Sequence, residues 1–169
     1  MALECGCPEH FPDWDGQDID LGGNAMLALP MPTFLHMPMG YEVYLGRVRH
    51  LLKELDLTER WPGFMLSKTG WFRGQILSPL ESSDSPSRHV IHMQSPLNVR
   101  AKLHNGDIGS IKNSVREMQS ELLDMGRMPK DLYLSYLTCP NCQEKRGGAK
   151  IMVIRRWEQS TRLSKRINK

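Results

Sequence analysis

The chain has 169 residues, 40% of them hydrophobic and 24% charged, which is enough to bury a core and too apolar for a disordered polymer. No apolar run approaches the roughly 20 residues that cross a bilayer, and no basic stretch followed by an apolar one marks a leader. The sequence therefore predicts a cytoplasmic protein without a membrane partner. Net charge is only +3 but uneven: residues 1–20 carry Glu4, Glu9, Asp13, Asp15, Asp18 and Asp20 and no Lys or Arg, whereas residues 143–169 carry nine Lys or Arg against Glu144 and Glu158.

Residues 1–40 read as a long irregular arm packed on the domain. Pro8, Pro12, Pro30, Pro32 and Pro38 interrupt helices, and Leu27, Leu29, Phe34 and Leu35 supply apolar anchors. Residues 41–57 read as an amphipathic helix, because Tyr41, Leu45, Val48, Leu52 and Leu55 recur at spacings of four and three. Residues 64–67 and 71–77 form a predicted hairpin about Lys68, Thr69 and Gly70. Residues 78–87, rich in Ser and Pro, form an exposed loop, and residues 88–94 a third strand. Leu97, Val99, Ala101 and Leu103 alternate with Asn98, Arg100, Lys102 and His104, the pattern of a half-buried fourth strand. A second helix covers residues 109–125, with Ile111, Val115, Met118, Leu122 and Met125 on one stripe and Gly126 at its stop. Strands over 132–138 and 149–157 follow, joined by residues 139–148, and the polar tail 158–169 is expected to fray. No internal repeat is visible. The expected fold class is α+β: an antiparallel sheet of about five strands with two amphipathic helices, a domain over 41–157 flanked by the arm and the basic tail.

All four cysteines lie in two tight pairs, Cys5-Gly6-Cys7 and Cys139-Pro140-Asn141-Cys142. In a reducing compartment such pairs are metal ligands more often than disulfides, and Zn²⁺ takes four thiolates tetrahedrally. The expected site joins Cys5, Cys7, Cys139 and Cys142 around one Zn²⁺, with His10 as a substitute ligand. A thioredoxin-like redox pair would open a helix; here Gly147, Gly148 and a strand follow. The segment Thr138-Cys139-Pro140-Asn141-Cys142 resembles the zinc-knuckle turn of zinc ribbons over about ten residues, and the resemblance implies a structural zinc. Cys5-Gly6-Cys7-Pro8 departs from it, with one residue between the thiols. A closed four-thiolate site supports folding and does not catalyse.

Other groups are weaker. His89 and His92, three apart on a strand, face opposite ways. His104 stands at a strand end before Asn105, Gly106 and Asp107, where loops place catalytic groups. Asp13, Asp15, Asp18 and Asp20 lack the spacing of a calcium loop; with His10 they form the alternative of an open metal site that activates water. Met31, His36, Met37 and Met39 form a soft-ligand patch for Cu(I), against the plainer reading of methionines filling gaps. Arg155, Arg156, Arg162, Lys165 and Arg166 surround Trp157 and, with Trp61, Trp71 and Phe72, form the case for nucleic acid or an acidic protein as partner. G-x-S-x-G, Walker A, H-E-x-x-H and G-x-G-x-x-G motifs are absent. The sequence thus favours a zinc-binding adaptor, with a small metal-dependent hydrolase using His104, Asp107, His89 or His92 as the alternative.

Overall fold

The computed structural model describes residues 2–82 and 84–168. Among the described residues nine strands form one antiparallel sheet: β1 (Asp18–Asp20), β2 (Ala25–Phe34), β3 (Met37–Pro38), β4 (Leu66–Lys68), β5 (Arg73–Pro79), β6 (Val90–His92), β7 (Asn98–Asn105), β8 (Arg127–Tyr136) and β9 (Lys150–Gln159). Four helices accompany them: α1 (Tyr41–Glu54), α2 (Ile111–Asp124), the single turn α3 (Pro140–Gln143) and α4 (Thr161–Ile167). The α+β class holds, but the sheet has nine strands where about five were expected. The surplus comes mainly from residues 1–40: β1, β2 and β3 lie where an irregular arm was predicted. Residues 161–167, expected to fray, form α4, capped by the Ser160 hydroxyl accepting the Leu163 N–H at 3.4 Å.

β2 escaped the period-two pattern because Ala25, Met26, Leu27 and Ala28 are buried on both faces. Its prolines are compatible with the ladder for a geometric reason. The Ala28 N–H points away from β5, to the carbonyl of His89, so Pro30 and Pro32 share that outward side and remove donors only where β6 no longer pairs.

The strand order β1-β7-β9-β8-β4-β5-β2-β3 conceals a repeat. β2-α1-β4-β5 and β7-α2-β8-β9 have the same plan: the last strand of each unit lies between its other two. The units meet where β4 pairs β8, through Ser67 opposite Leu134. Both helices cover the same face. Val48 and Leu52 of α1 pack on Leu27, Met31, Met65 and Ile76; Ile111, Met118 and Leu122 of α2 pack on Leu134, Ile151 and Val153. The opposite face buries Phe64, Leu66, Leu77, Val99, Tyr133, Met152 and Ile154 under Phe11, Trp14 and Trp61. Trp14 meets Trp61 and Phe64 edge-on at 5.2 and 5.7 Å.

The acidic N-terminal residues are structural fasteners. Asp18 bridges Arg100 (3.1 Å) and Arg127 (3.0 Å). Asp15 accepts the Leu103 N–H at 2.8 Å, and Asp20 accepts those of Gly22 and Leu97 at 2.8 and 2.9 Å. The last two bonds, that from Leu97 first, hold the Asp20 carboxyl below its usual range. No helix among the described residues is long and apolar enough to cross a membrane.

Candidate metal centre and adjoining cavity

The two cysteine pairs converge. The sulfurs of Cys5, Cys7, Cys139 and Cys142 all lie within 4.8 Å of one another. Four sulfurs about 2.3 Å from one ion at tetrahedral corners would stand roughly 3.8 Å apart; the Cys139 and Cys142 sulfurs are 3.9 Å apart. Cys139 caps α3, with Pro140 in its first turn, and the Cys139 N–H donates to the Cys142 sulfur at 3.3 Å. The other pair sits in a tight loop closed by Gly6 N–H to Leu3 O (2.7 Å) and Leu3 N–H to Cys7 O (2.8 Å). Gly6 has φ +83, a left-handed conformation that favours glycine, and the Arg49 guanidinium packs against its Cα. His10 is exposed and outside the cluster.

Crowding four thiols opposes ionising them together. Burial first, then bonds with Cys5, Cys139 and Cys142, pushes the Cys7 thiol far up. Burial would raise Cys139 as well, but bonds from the Cys142 backbone, Cys5 and the Asn141 backbone outweigh it and bring that thiol to about 7. A dication would relieve this conflict. Arg146 ties the halves of the site together, donating to the carbonyls of Pro8 (2.8 Å) and Leu137 (3.1 Å). Arg49 donates to Gly6 O at 3.4 Å.

Beside this cluster lies a cavity of about 190 Å³. Cys5, Cys7 and Cys139 form one wall; Tyr41, Glu42, Leu45 and Arg49 of α1, Met65, and Tyr136 and Thr138 at the end of β8 form the others. Tyr41 meets Tyr136 edge-on at 5.1 Å. Burial, followed by the neighbouring Tyr136 and Glu42, keeps the Tyr41 phenol protonated far above neutrality; burial likewise raises Tyr136. The cavity thus offers neutral hydroxyl donors, a carboxylate and a guanidinium on a largely apolar floor, the composition of a small-molecule site. Tyr41 was legible only as part of a helix stripe. Glu42, Arg49 and Tyr136 carried no signal, because the cavity exists only where segments from both units meet.

The remaining candidates fall elsewhere. His104 is 9% exposed, with Nδ1 2.7 Å from Ser114 Oγ and Nε2 2.9 Å from Ser110 Oγ. Asp107 joins this group, its Oδ1 accepting the Ser110 N–H at 3.2 Å. The group continues a ladder: Arg100 to Glu121 at 3.4 Å, Lys102 to Glu117 at 2.8 Å, then His104 to Ser114, each step one turn along α2. His104 thereby docks α2 on β7. His89 precedes β6 and His92 ends it, and β6 pairs β2, whereas both ring nitrogens of His104 face serine hydroxyls of the α2 segment. Met31 is buried under α1 while Met37 and Met39 are exposed, which separates the soft ligands. In the basic segment Arg155 is half-buried, Arg156 pairs with Asp131 (3.4 Å) and Glu158 (2.6 Å), and Arg127 covers the Trp157 ring at 3.9 Å. Arg162, Lys165 and Arg166 of α4 are exposed, as is Lys145.

Comparison with known proteins gives a family and a fold. The model of a family described as bacterial hydrolase matches residues 2–157. No curated protein matches. Among solved structures, the C-terminal domain of EcmrR is similar with a TM-score of 0.62 at 10% identity, covering 84% of this chain and 96% of that one. EcmrR in an EcmrR–DNA complex is similar with a TM-score of 0.56, also at 10% identity, over 84% of this chain and 56% of that one. The EcmrR likenesses are likenesses of fold. The family match spans most of the sequence, and the chain belongs to the bacterial hydrolase family.

Proposed function

We propose that this member of the bacterial hydrolase family is a hydrolase of small molecules, its four cysteines holding a structural Zn²⁺ and its substrate binding in the adjoining cavity. The observation that carries this reading is the convergence of Tyr41, Glu42, Arg49 and Tyr136 on a cavity walled by the thiolate cluster. Four thiolates fill a tetrahedral zinc, so the ion shapes the wall and the protein side chains perform the chemistry. Glu42 takes a proton from water as its oxygen attacks the electrophilic carbon. The Tyr41 and Tyr136 hydroxyls donate to the oxygen on which charge develops, and the leaving group departs with the proton returned from Glu42. Arg49 supplies positive charge at the rim.

Two measurements test the two halves of this reading. Elemental analysis of protein purified without added metal should find one zinc per chain, lost in Cys5→Ser and in Cys142→Ser; zinc retained in either variant would move the metal elsewhere. A panel of ester, amide, lactone and phosphoester substrates should give activity that falls at least about 100-fold in Glu42→Gln and Tyr41→Phe with zinc content unchanged. Activity intact in both variants rules the cavity out as the active site.

The adaptor reading is the second. It draws on the fold shared with a domain of EcmrR, a protein whose structure includes a DNA complex, and on the exposed cations Arg162, Lys165 and Arg166. Retention on DNA or RNA that weakens with salt and is lost on replacing these three residues supports it; no retention at low salt removes it.

A further inference from the structure

Two hairpin tips stand together at the end of the sheet formed by the first βαββ unit. Phe34 pairs Met37 across the turn joining β2 to β3. The N–H groups of Thr33, Leu35 and His36 donate to the carbonyls of Phe72, Trp71 and Gly70, in the connection between β4 and β5. The His36 and Trp71 rings lie 5.6 Å apart. Six large apolar side chains are displayed there, Phe34, Leu35, Met37, Met39, Trp71 and Phe72, with Phe72 67% and Trp71 61% exposed, and Val43 is exposed in the first turn of α1. Leu35 and His36 hold this turn at φ +48 and +69, a left-handed conformation that ordinary side chains adopt at a cost. Nothing in the core requires those two side chains, since Leu35 is half exposed.

With about 200 Å² per aromatic residue and somewhat less per aliphatic one, the displayed fractions amount to roughly 700 Å². The largest apolar patch on an ordinary monomer is about 300–600 Å², and a standard interface buries about 800 Å² per partner. We infer that this patch is the contact surface of a homodimer, the same face of two copies meeting about a two-fold axis. Area is the first argument. Charge is the second: segments 33–43 and 69–73 carry one carboxylate, Glu42, one guanidinium, Arg73, and His36, so two copies meet without strong like-charge repulsion although each chain is +3 overall. That balance also gives an anionic lipid surface or a nucleic acid little to attract it. Backbone geometry excludes another route, because Pro30 and Pro32 remove the donors on the outward side of β2 that edge-to-edge pairing would use. The aromatic and methionine content matches the interior of protein interfaces.

Sedimentation velocity of the full chain between about 1 and 100 μM tests the inference. The expected result is a dimer that dissociates on dilution, with the dissociation constant raised at least about 100-fold in Phe72→Asp and in Trp71→Ser and unchanged in Met125→Glu, an exposed methionine outside the patch. Circular dichroism of the two patch variants should match the parent, since both residues stand in an open turn. A monomer at 100 μM, or a dimer indifferent to both substitutions, overturns the inference. Flotation of a monomeric protein with phosphatidylglycerol vesicles would assign the patch to lipid instead and overturn it equally.

Discussion

The two βαββ units are built alike and finished differently. Each lays one amphipathic helix on three antiparallel strands, and each helix buries the stripe that its 3.6-residue period dictates. The difference lies in the connections. In the first unit the last two strands are joined by the short turn 69–72, which presents Trp71 and Phe72 to solvent. In the second the corresponding connection, 137–149, is longer, turns through α3 and carries Cys139 and Cys142. The entry to the helix differs too: the first unit inserts β3 and the apolar tip, whereas the second passes directly from Asn105 to a group fastened by His104, Ser110 and Asp107. The frame is set by burial, which both units satisfy in the same way; the cysteine pair of the second unit and the aromatic tip of the first are carried by connections, which burial leaves free.

Substitutions that treat matching positions unequally should expose this asymmetry. The largest effect is expected at Cys139. Cys139→Ser would remove one of the four proposed zinc ligands, and metal-binding free energy is folding free energy, so the loss should be on the order of 5 kcal/mol, or roughly 10–20 °C in Tm by calorimetry. Trp71→Ser, in the matching turn of the first unit, should move the Tm of the dilute monomer by only about 2 °C. Equal losses in the two variants would mean that the thiolate loop is not a staple.

A smaller effect is expected at His104. Removing its ring takes the partner from the half-buried Ser114 hydroxyl, while Ser110 keeps its bond to the Asp107 carbonyl, so His104→Ala should cost about 1–2 kcal/mol in urea unfolding while turnover per folded molecule stays within about twofold. Turnover that collapses with stability intact would return His104 to the active site.

The smallest concerns Asp20, which fastens β1. Its carboxyl is held below the ordinary range by N–H donors, so its contribution is present above the unfolded pKa and is lost as pH falls through the folded one. Asp20→Asn should lower the urea midpoint modestly at pH 7, and the gap from the parent should close on acidification below about pH 4. A gap of constant size would show that the carboxylate charge is irrelevant there.

Some of this was legible before any coordinates. The stripes of α1 and α2, the alternation of β7 and the convergence of four cysteines rest on local periods and on ligand chemistry, both written residue by residue. Asp18 was legible only as part of an acidic segment, and its partner Arg100 only as an outward position of an alternating strand; tertiary structure pairs them. β2 was hidden because both of its faces are buried and its prolines read as breakers, although they lie on the side where no donor is missed. The repeat was hidden because its units share a pattern of burial and hardly any sequence. The cavity was hidden because Tyr41 and Tyr136 belong to different units, and no window of sequence contains both.

The span between the cysteine pairs also bears on the order in which a growing chain assembles. Cys5 and Cys7 leave the ribosome first and their partners only after residue 142 has been added, by which time β8 is available to close the seam with β4. With zinc as the proposed occupant, a nascent chain carries half a ligand set until residues 139–142 are made and acquires the other half together with the strand that joins the two units. Metal capture would then coincide with closure of the sheet, and a product truncated before that point would expose two thiols and an unpaired strand edge, features by which an incomplete chain differs from a finished one.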